Sequence, residues 1–304
     1  IRLVNQVEIM QEIESDYSKD IILRIPKISK VHILLFMLTV FSTLLAGALM
    51  QGANVISNPI SIFKGMPFSL TLLLILGTHE FGHYYYAQKH NVEASLPYFI
   101  PAPPFIFLIG TFGAFIQIKS AIKNREALLQ IGAAGPIAGF VVAVPSLIFG
   151  LNISEVYEKN DMQNALLLGD SILMKFLIWL THPNLLETQD LMLHPVAFAG
   201  WIGLLVTMLN LLPIGQLDGG HIAYAMFGKK QQWIARTSLI ALIPLSFISL
   251  NWLVWGLLIL FLMRSAQHPP IEDFDIPLSK QNSRIGYICF IIFILCFIPA
   301  PIKF

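Results

Sequence analysis

The chain has 304 residues, of which 56% are hydrophobic and only 12% charged, with 22 phenylalanines among them. A soluble domain usually carries about 25% charged residues, so the composition excludes a soluble globular protein and indicates an integral membrane protein. The formal net charge of +1 gives no electrostatic footprint for nucleic acid, and no such partner is expected.

Residues 1–30 are polar and of mixed charge, with Glu8, Glu12, Glu14, Asp16 and Asp20 followed by Arg24, Lys27 and Lys30. They predict an N-terminal tail ahead of a membrane-embedded body over residues 31–304. Position 1 is isoleucine, which is compatible with a signal or transit peptide ahead of it. Residues 31–50 are long enough to cross about 30 Å of hydrocarbon, and His32 is expected at the interface.

A second span is expected over about 67–88. It contains Thr78-His79-Glu80-Phe81-Gly82-His83. An uninterrupted apolar stretch should be helical, because a lipid-facing backbone must satisfy its own hydrogen bonds. On a helix, residues four apart share a face, with Cβ atoms roughly 5–6 Å apart. His79 and His83 can then present ring nitrogens to one Zn²⁺ at about 2.0–2.1 Å. Glu80 can reach a metal-bound water without ligating the metal. This His-Glu-x-x-His arrangement puts two ligands and a general base on one turn. Its position inside an apolar helix strengthens the reading, because ionisable groups there are costly.

Four prolines within eight residues (Pro97, Pro101, Pro103, Pro104) exclude a helix. The following stretch, 110–119, is rich in β-formers and carries Gly110 and Gly113. It predicts a short extended or hairpin segment dipping into the membrane, which is tolerated only where it is buried in protein or lines a wet cavity.

Residues 127–150 form the third expected span. Gly132, Gly135 and Gly139 read as a close-packing face, and Pro136 and Pro145 predict kinks. Residues 152–193 form a longer, mostly acidic connection, in which the apolar stretch 165–180 reads as an interfacial helix rather than a span. His182 and His194 flank prolines, where surface or cap roles are expected.

The fourth span, 195–212, runs into Asn210-Leu211-Leu212-Pro213-Ile214-Gly215-Gln216-Leu217-Asp218-Gly219-Gly220-His221. Pro213 and Gly215 should break the helix and let Asp218 turn back toward the membrane interior. A carboxylate there is expensive unless it meets a cation, and zinc is the candidate. The alternative is an N-cap for a helix beginning near His221. His221 itself is read as a cap or a substrate contact, not as a ligand.

Residues 234–250 and 252–263 read as a tight helical hairpin with a short second arm. A polar stretch, 264–284, holds His268, Glu272, Asp273 and Asp275, and 285–298 is the last span. It carries the two cysteines, Cys289 and Cys296. Seven residues apart on a helix means roughly 10 Å of rise, too far for a disulfide. The fold expected is an all-α polytopic membrane protein of about six to seven transmembrane helices, with one short β-like segment.

Positive charge orients the chain. Arg24, Lys27, Lys30, Lys89, Lys119, Lys123, Arg125, Lys229, Lys230, Arg236, Arg264, Lys280 and Arg284 fall on one side if connections alternate. That side is expected to be cytosolic, with the N-terminus and the histidine pair near it. Lys64, Lys159 and Lys175 fall opposite, with most of the acidic residues.

His79-Glu80-Phe81-Gly82-His83, followed by Asn210-x-x-Pro213-x-x-x-Leu217-Asp218-Gly219, resembles the site-2 protease family of intramembrane zinc metalloproteases. Ala134-Gly135-Pro136 and the segment from Gly110 to Gly113 look like family features too. The likeness covers roughly residues 66–228. It implies one Zn²⁺ held by His79, His83 and Asp218, with Glu80 as the base. It also implies that Asn210 holds substrate or the developing oxyanion. The stretch 110–119, with Gly110, Gly113 and Gln117, would pair with an unwound substrate as an added strand. Substrates would be transmembrane proteins or peptides in the lipid bilayer, and an upstream site-1 type protease is compatible with the resemblance. Many relatives carry a PDZ domain or a CBS pair. The connections here are too short for either, which resembles the compact branch of bacteria and plastids.

Two other classes compete. A zinc or proton-coupled transporter would also place His and Asp in its spans, but it has no need of Glu80, and no inverted repeat is visible. An inactive membrane sensor is expected to lack a ligand or Glu80, and neither is missing.

Overall fold

The computed structural model describes residues 28–105, 107–159, 166–262, 271 and 273–303. Most of the expected N-terminal tail, with Arg24 and Lys27, lies outside these residues, as do Arg264, His268 and Glu272. Among the described residues, three helices are long and apolar enough to cross a membrane. They are α1 (Lys30–Met50), α2 (Met66–Lys89, entered through a 3-10 turn at Pro59–Gly65) and α3 (Arg125–Asn152). The 21 residues of α1 span about 32 Å at 1.5 Å each. Shorter apolar helices complete a multi-pass membrane protein.

The inside-out pattern of α1 shows what solvent it is built for. Its inward face is Thr39, Ser42, Thr43, Ala46 and Gly47, while Val31, Leu34, Met37, Leu38 and Phe41 face outward. Lipid is as apolar as leucine, so close packing and interhelical hydrogen bonds drive association instead. Thr43 Oγ1 accordingly meets Ser69 Oγ of α2 at 2.7 Å, and a Cβ on Gly47 would stand 2.8 Å from the Gly65 carbonyl.

After α2 the chain forms an antiparallel hairpin of β1 (Tyr98–Pro101) and β2 (Thr111–Phe115). This hairpin follows α1 inward. Tyr98 stacks on His32 at 4.0 Å, Phe99 meets Phe36 at 5.1 Å, and the Gly110 carbonyl accepts from Ser42 Oγ at 2.6 Å. From His32 to Ser42 the helix rises about 15 Å, so the hairpin runs alongside roughly half the length of α1. The Gly110 site is set by α1. Its φ is +73°, and a Cβ there would stand 2.5 Å from the Ser42 carbonyl.

Helix α3 is capped by Asn124, whose side chain accepts from the Ala127 N–H at 2.8 Å, and it runs through both Pro136 and Pro145. Beyond it, β3 (Glu155–Glu158) later pairs with β5 (Gln189–Met192), and β4 (Leu167–Leu168) pairs with β6 (Ile302–Lys303) at the end of the chain. Between them lies α4 (Ile172–Thr181). It is too short to span and exposes Ile172, Phe176, Trp179 and Leu180, the composition of an interfacial helix. His194 caps α5 (Pro195–Asn210), accepting from the Val196 N–H at 3.3 Å. Burial pushes its pKa down, which keeps the ring neutral and able to accept. The chain continues through α6 (Asp218–Phe227), the hairpin of α7 (Gln231–Ile248) and α8 (Asn251–Leu262), and α9 (Lys280–Cys296). Cys289 and Cys296 are buried free thiols.

Candidate metal centre

Helix α2 delivers His79 and His83 to one face, as i, i+4 geometry requires; both are buried, with Glu80 beside them. Helix α5 stops at Asn210, and Pro213, which has no N–H to continue a helix, lies in the turn that follows. The chain then restarts at Asp218, not near His221. The cap of α6 is Leu217, with no side-chain capping bond, so the N-cap reading of Asp218 does not hold. Its carboxylate instead points at the histidines. Asp218 Oδ2 lies 3.3 Å from His79 Nε2 and 3.3 Å from His83 Nε2, and the two Nε2 atoms are 3.1 Å apart.

These separations fit a metal. A tetrahedral zinc with bonds of about 2.0–2.1 Å spaces its ligand atoms about 3.3–3.4 Å apart. The donor chemistry agrees. His83 Nδ1 stands 2.7 Å from the Ile131 carbonyl, which can only accept, so Nδ1 carries a proton, and in a neutral ring Nε2 is then the lone pair left for a metal. That lone pair, a second imidazole nitrogen and a carboxylate oxygen converge in a buried site, and a cation satisfies all three. Among the described residues, His79, His83 and Asp218 form the group that could hold a metal ion.

Other predicted residues gather less tightly. Asn210 Nδ2 lies 3.3 Å from His79 Nε2. The backbone of Ile116, just past β2, comes close enough to the Glu80 carboxylate to act on it, so the hairpin borders the site. Gln117 has an exposed side chain, and its backbone pairs with Ser95 in both directions at 2.9 Å. Gly110 sits against α1, and Gly113, with φ +100°, faces open space.

Helix α3 supplies what the sequence reading missed. Its Ile131 carbonyl orients His83. A Cβ on Gly135 would run into the His83 ring, one on Gly139 would stand 3.2 Å from His79 Nδ1, and one on Gly132 would stand 2.9 Å from His221 Cβ. The glycine spacing signals close packing, and the structure adds that the packed objects are the site's own histidines. Ala134-Gly135-Pro136, which the sequence offers only as a likeness to the family, holds the glycine that receives the His83 ring.

Residues 67–249 match peptidase family M50. The chain is 32% identical over 247 residues to "Probable zinc metalloprotease EGY2, chloroplastic" of Arabidopsis thaliana, covering 79% of this chain and 43% of that protein. The EGY2 protein of Oryza sativa subsp. indica is 31% identical over 271 residues, covering 88% of this chain and 49% of the relative. "Probable zinc metalloprotease EGY1, chloroplastic" of Arabidopsis thaliana is 32% identical, covering 77% and 43%. The chain thus spans less than half the length of these relatives. No solved structure matches it. The matched region holds both the histidine pair and Asp218, and on this evidence the chain belongs to peptidase family M50, the site-2 protease family.

Proposed function

We propose that the chain is an intramembrane zinc metalloendopeptidase that hydrolyses peptide bonds within or near transmembrane segments of other membrane proteins. The observation that carries this reading is the convergence of His79, His83 and Asp218 at tetrahedral spacing inside an apolar bundle, with Glu80 on the same turn. One zinc per chain, held by these three side chains, would supply a Lewis acid and a bound water with a pKa near 7. Glu80 takes the proton of the attacking water and passes it to the leaving amine. The Asn210 amide hydrogen-bonds the carbonyl oxygen as it gains charge, worth about 3–4 kcal/mol in comparable sites.

A transmembrane helix has no free backbone groups, so substrate must unwind before it reacts. The hairpin is suited to receive it. Gln117 and Lys119 are turned to Ser95 and Glu93, so strand alternation turns the Ile116 and Ile118 N–H groups to the other edge. That edge has no paired strand among the described residues and borders Glu80. An extended substrate can add to it as a strand.

In this reading the protease body is 31–304 with its motif-bearing core at about 66–228, six to seven helices cross the membrane, and the basic ends face the cytosolic side. A bacterial inner membrane or an organelle membrane would house it, and the chloroplast location in the relatives' names supports the organelle. An upstream site-1 type protease could prepare its substrates.

The test is wild type beside Glu80→Gln in liposomes, with zinc content and cleavage of a transmembrane substrate both recorded. Glu80→Gln should bind zinc normally and lose cleavage by about 10²–10⁴-fold. Equal cleavage by the two proteins would defeat the mechanism. A transporter would instead keep its zinc flux in the variant, and an inactive sensor would show no cleavage in the wild type.

A further inference from the structure

Asp218 is the first residue of α6, so where it stands depends on how that ten-residue helix is held. At its N-terminal end Gly219 and Gly220 press on the carbonyls of Leu211 and Gly215, leaving no room for a Cβ on either. At its C-terminal end a residue from another helix does the holding. Arg125 Nε donates to the Ala225 carbonyl at 2.7 Å and Nη2 to the Met226 carbonyl at 3.1 Å. The last carbonyls of a helix have no partner within it and carry the negative end of its dipole. The guanidinium satisfies both needs at once. It also lies 4.8 Å from the Phe274 ring, which meets Tyr224 of α6 at 5.2 Å.

Arg125 opens α3, and the same helix sets the histidines. Six residues on, about 9 Å along the axis, the Ile131 carbonyl orients His83. Gly135 and Gly139 then receive His83 and His79. One helix therefore indexes both halves of the site, the α2 histidines through its middle and α6 through its first turn.

We propose that Arg125 is a positioning residue for the metal centre: by clamping the end of α6 to the start of α3, it fixes where Asp218 stands relative to His79 and His83. It touches neither metal nor substrate. The inference rests on the reading that these three residues hold zinc.

The experiment is metal binding by the full chain in detergent, comparing wild type, Arg125→Met and Arg125→Lys. Methionine keeps an unbranched stem over Phe274 and removes the donors. Lysine keeps the charge but, as a point donor, cannot hold two carbonyls in fork geometry. Zinc affinity, measured by chelator competition, should fall about 10–100-fold in Arg125→Met, as for other supports of metal ligands. Arg125→Lys should lie between it and wild type. The visible spectrum of the cobalt-substituted protein should weaken in the same order, while helical content stays constant. A folded Arg125→Met with wild-type zinc affinity and cobalt spectrum would overturn the proposal. If Arg125→Met does not fold, Arg125→Lys decides, and wild-type values there overturn it. Wild-type metal content separates the two claims: zinc-free wild type refutes the zinc reading and the proposal with it, whereas zinc-loaded wild type with unaltered variants refutes the proposal alone.

Discussion

A ligating histidine has two nitrogens, and a site is rigid only if the one that does not face the metal is also occupied. For His83 that occupant is the Ile131 carbonyl at 2.7 Å. The groove that admits its ring exists because position 135 is glycine. Gly135→Ala should therefore behave like the loss of a ligand although it removes no donor. Zinc affinity should fall by at least about 10-fold, measured by chelator competition, whereas a wild-type value would mean the ring can shift at no cost. His79→Ala is the sharper case: metal analysis of the purified variant should find almost no zinc, and full occupancy would sink the ligand assignment. The same contrast explains what was legible. His79, Glu80, His83 and Asp218 announce themselves because ionisable side chains in apolar surroundings demand an explanation. The Ile131 carbonyl was invisible, since every residue has one. Arg125 read only as a positive charge beside a span, because its partners are backbone atoms 100 and 101 residues away.

At the scale of elements, the spans of α1, α2 and α3 could be placed from hydropathy within two residues at each end, because lipid leaves the backbone few alternatives. The start of α6 could not. The sequence places the helix near His221 if Asp218 is a cap, the alternative to its being a ligand, whereas packing of Gly219 and Gly220 on the preceding turn lets the helix begin at Asp218 itself with its side chain aimed at the histidines. The hairpin fell between these cases. Proline and glycine placement excluded a helix over 97–119, but pairing with Tyr98–Pro101 depends on register, which α1 enforces through His32, Phe36 and Ser42. Its edge carries a prediction. Proline at 116 removes the N–H of the residue whose backbone comes closest to Glu80 on that edge, and proline at 118 removes the next N–H along it. Both Ile116→Pro and Ile118→Pro should lower cleavage of a transmembrane substrate while zinc content stays normal. Ile116→Pro should cost more, since position 116 is the one whose backbone reaches Glu80. Unchanged cleavage by both would reduce the segment to a structural filler.

At the scale of the whole molecule, charge and packing can be compared directly. The ends that carry the basic residues meet one another: His90 after α2 and Asn282 of α9 both hydrogen-bond Gln130 of α3, at 2.9 and 2.8 Å. Arg125 joins the end of α6, and His32 of α1 stacks on the hairpin that follows α2. The opposite ends meet as a second set. Gly47 packs on Gly65, the Ser154 hydroxyl accepts from the His194 N–H at 2.9 Å, and Trp252 Nε1 donates to the Pro299 carbonyl at 2.7 Å. Lys30, Lys89, Arg125, Lys229, Lys230, Lys280 and Arg284 thus gather at one end of the bundle, and β3 with β5, which holds Glu155, Glu158 and Asp190, lies at the other. A membrane inserted by the positive-inside rule would keep the first end in the cytosol or its organellar equivalent. A reporter fused after Lys123 should accordingly read on that side, and one near Glu158 should read on the far side. The reverse pattern would turn the whole bundle over and put the Glu80 edge of the hairpin within reach of substrates from the wrong face. Both reporters on one side would mean that α3, although 28 residues long, does not cross.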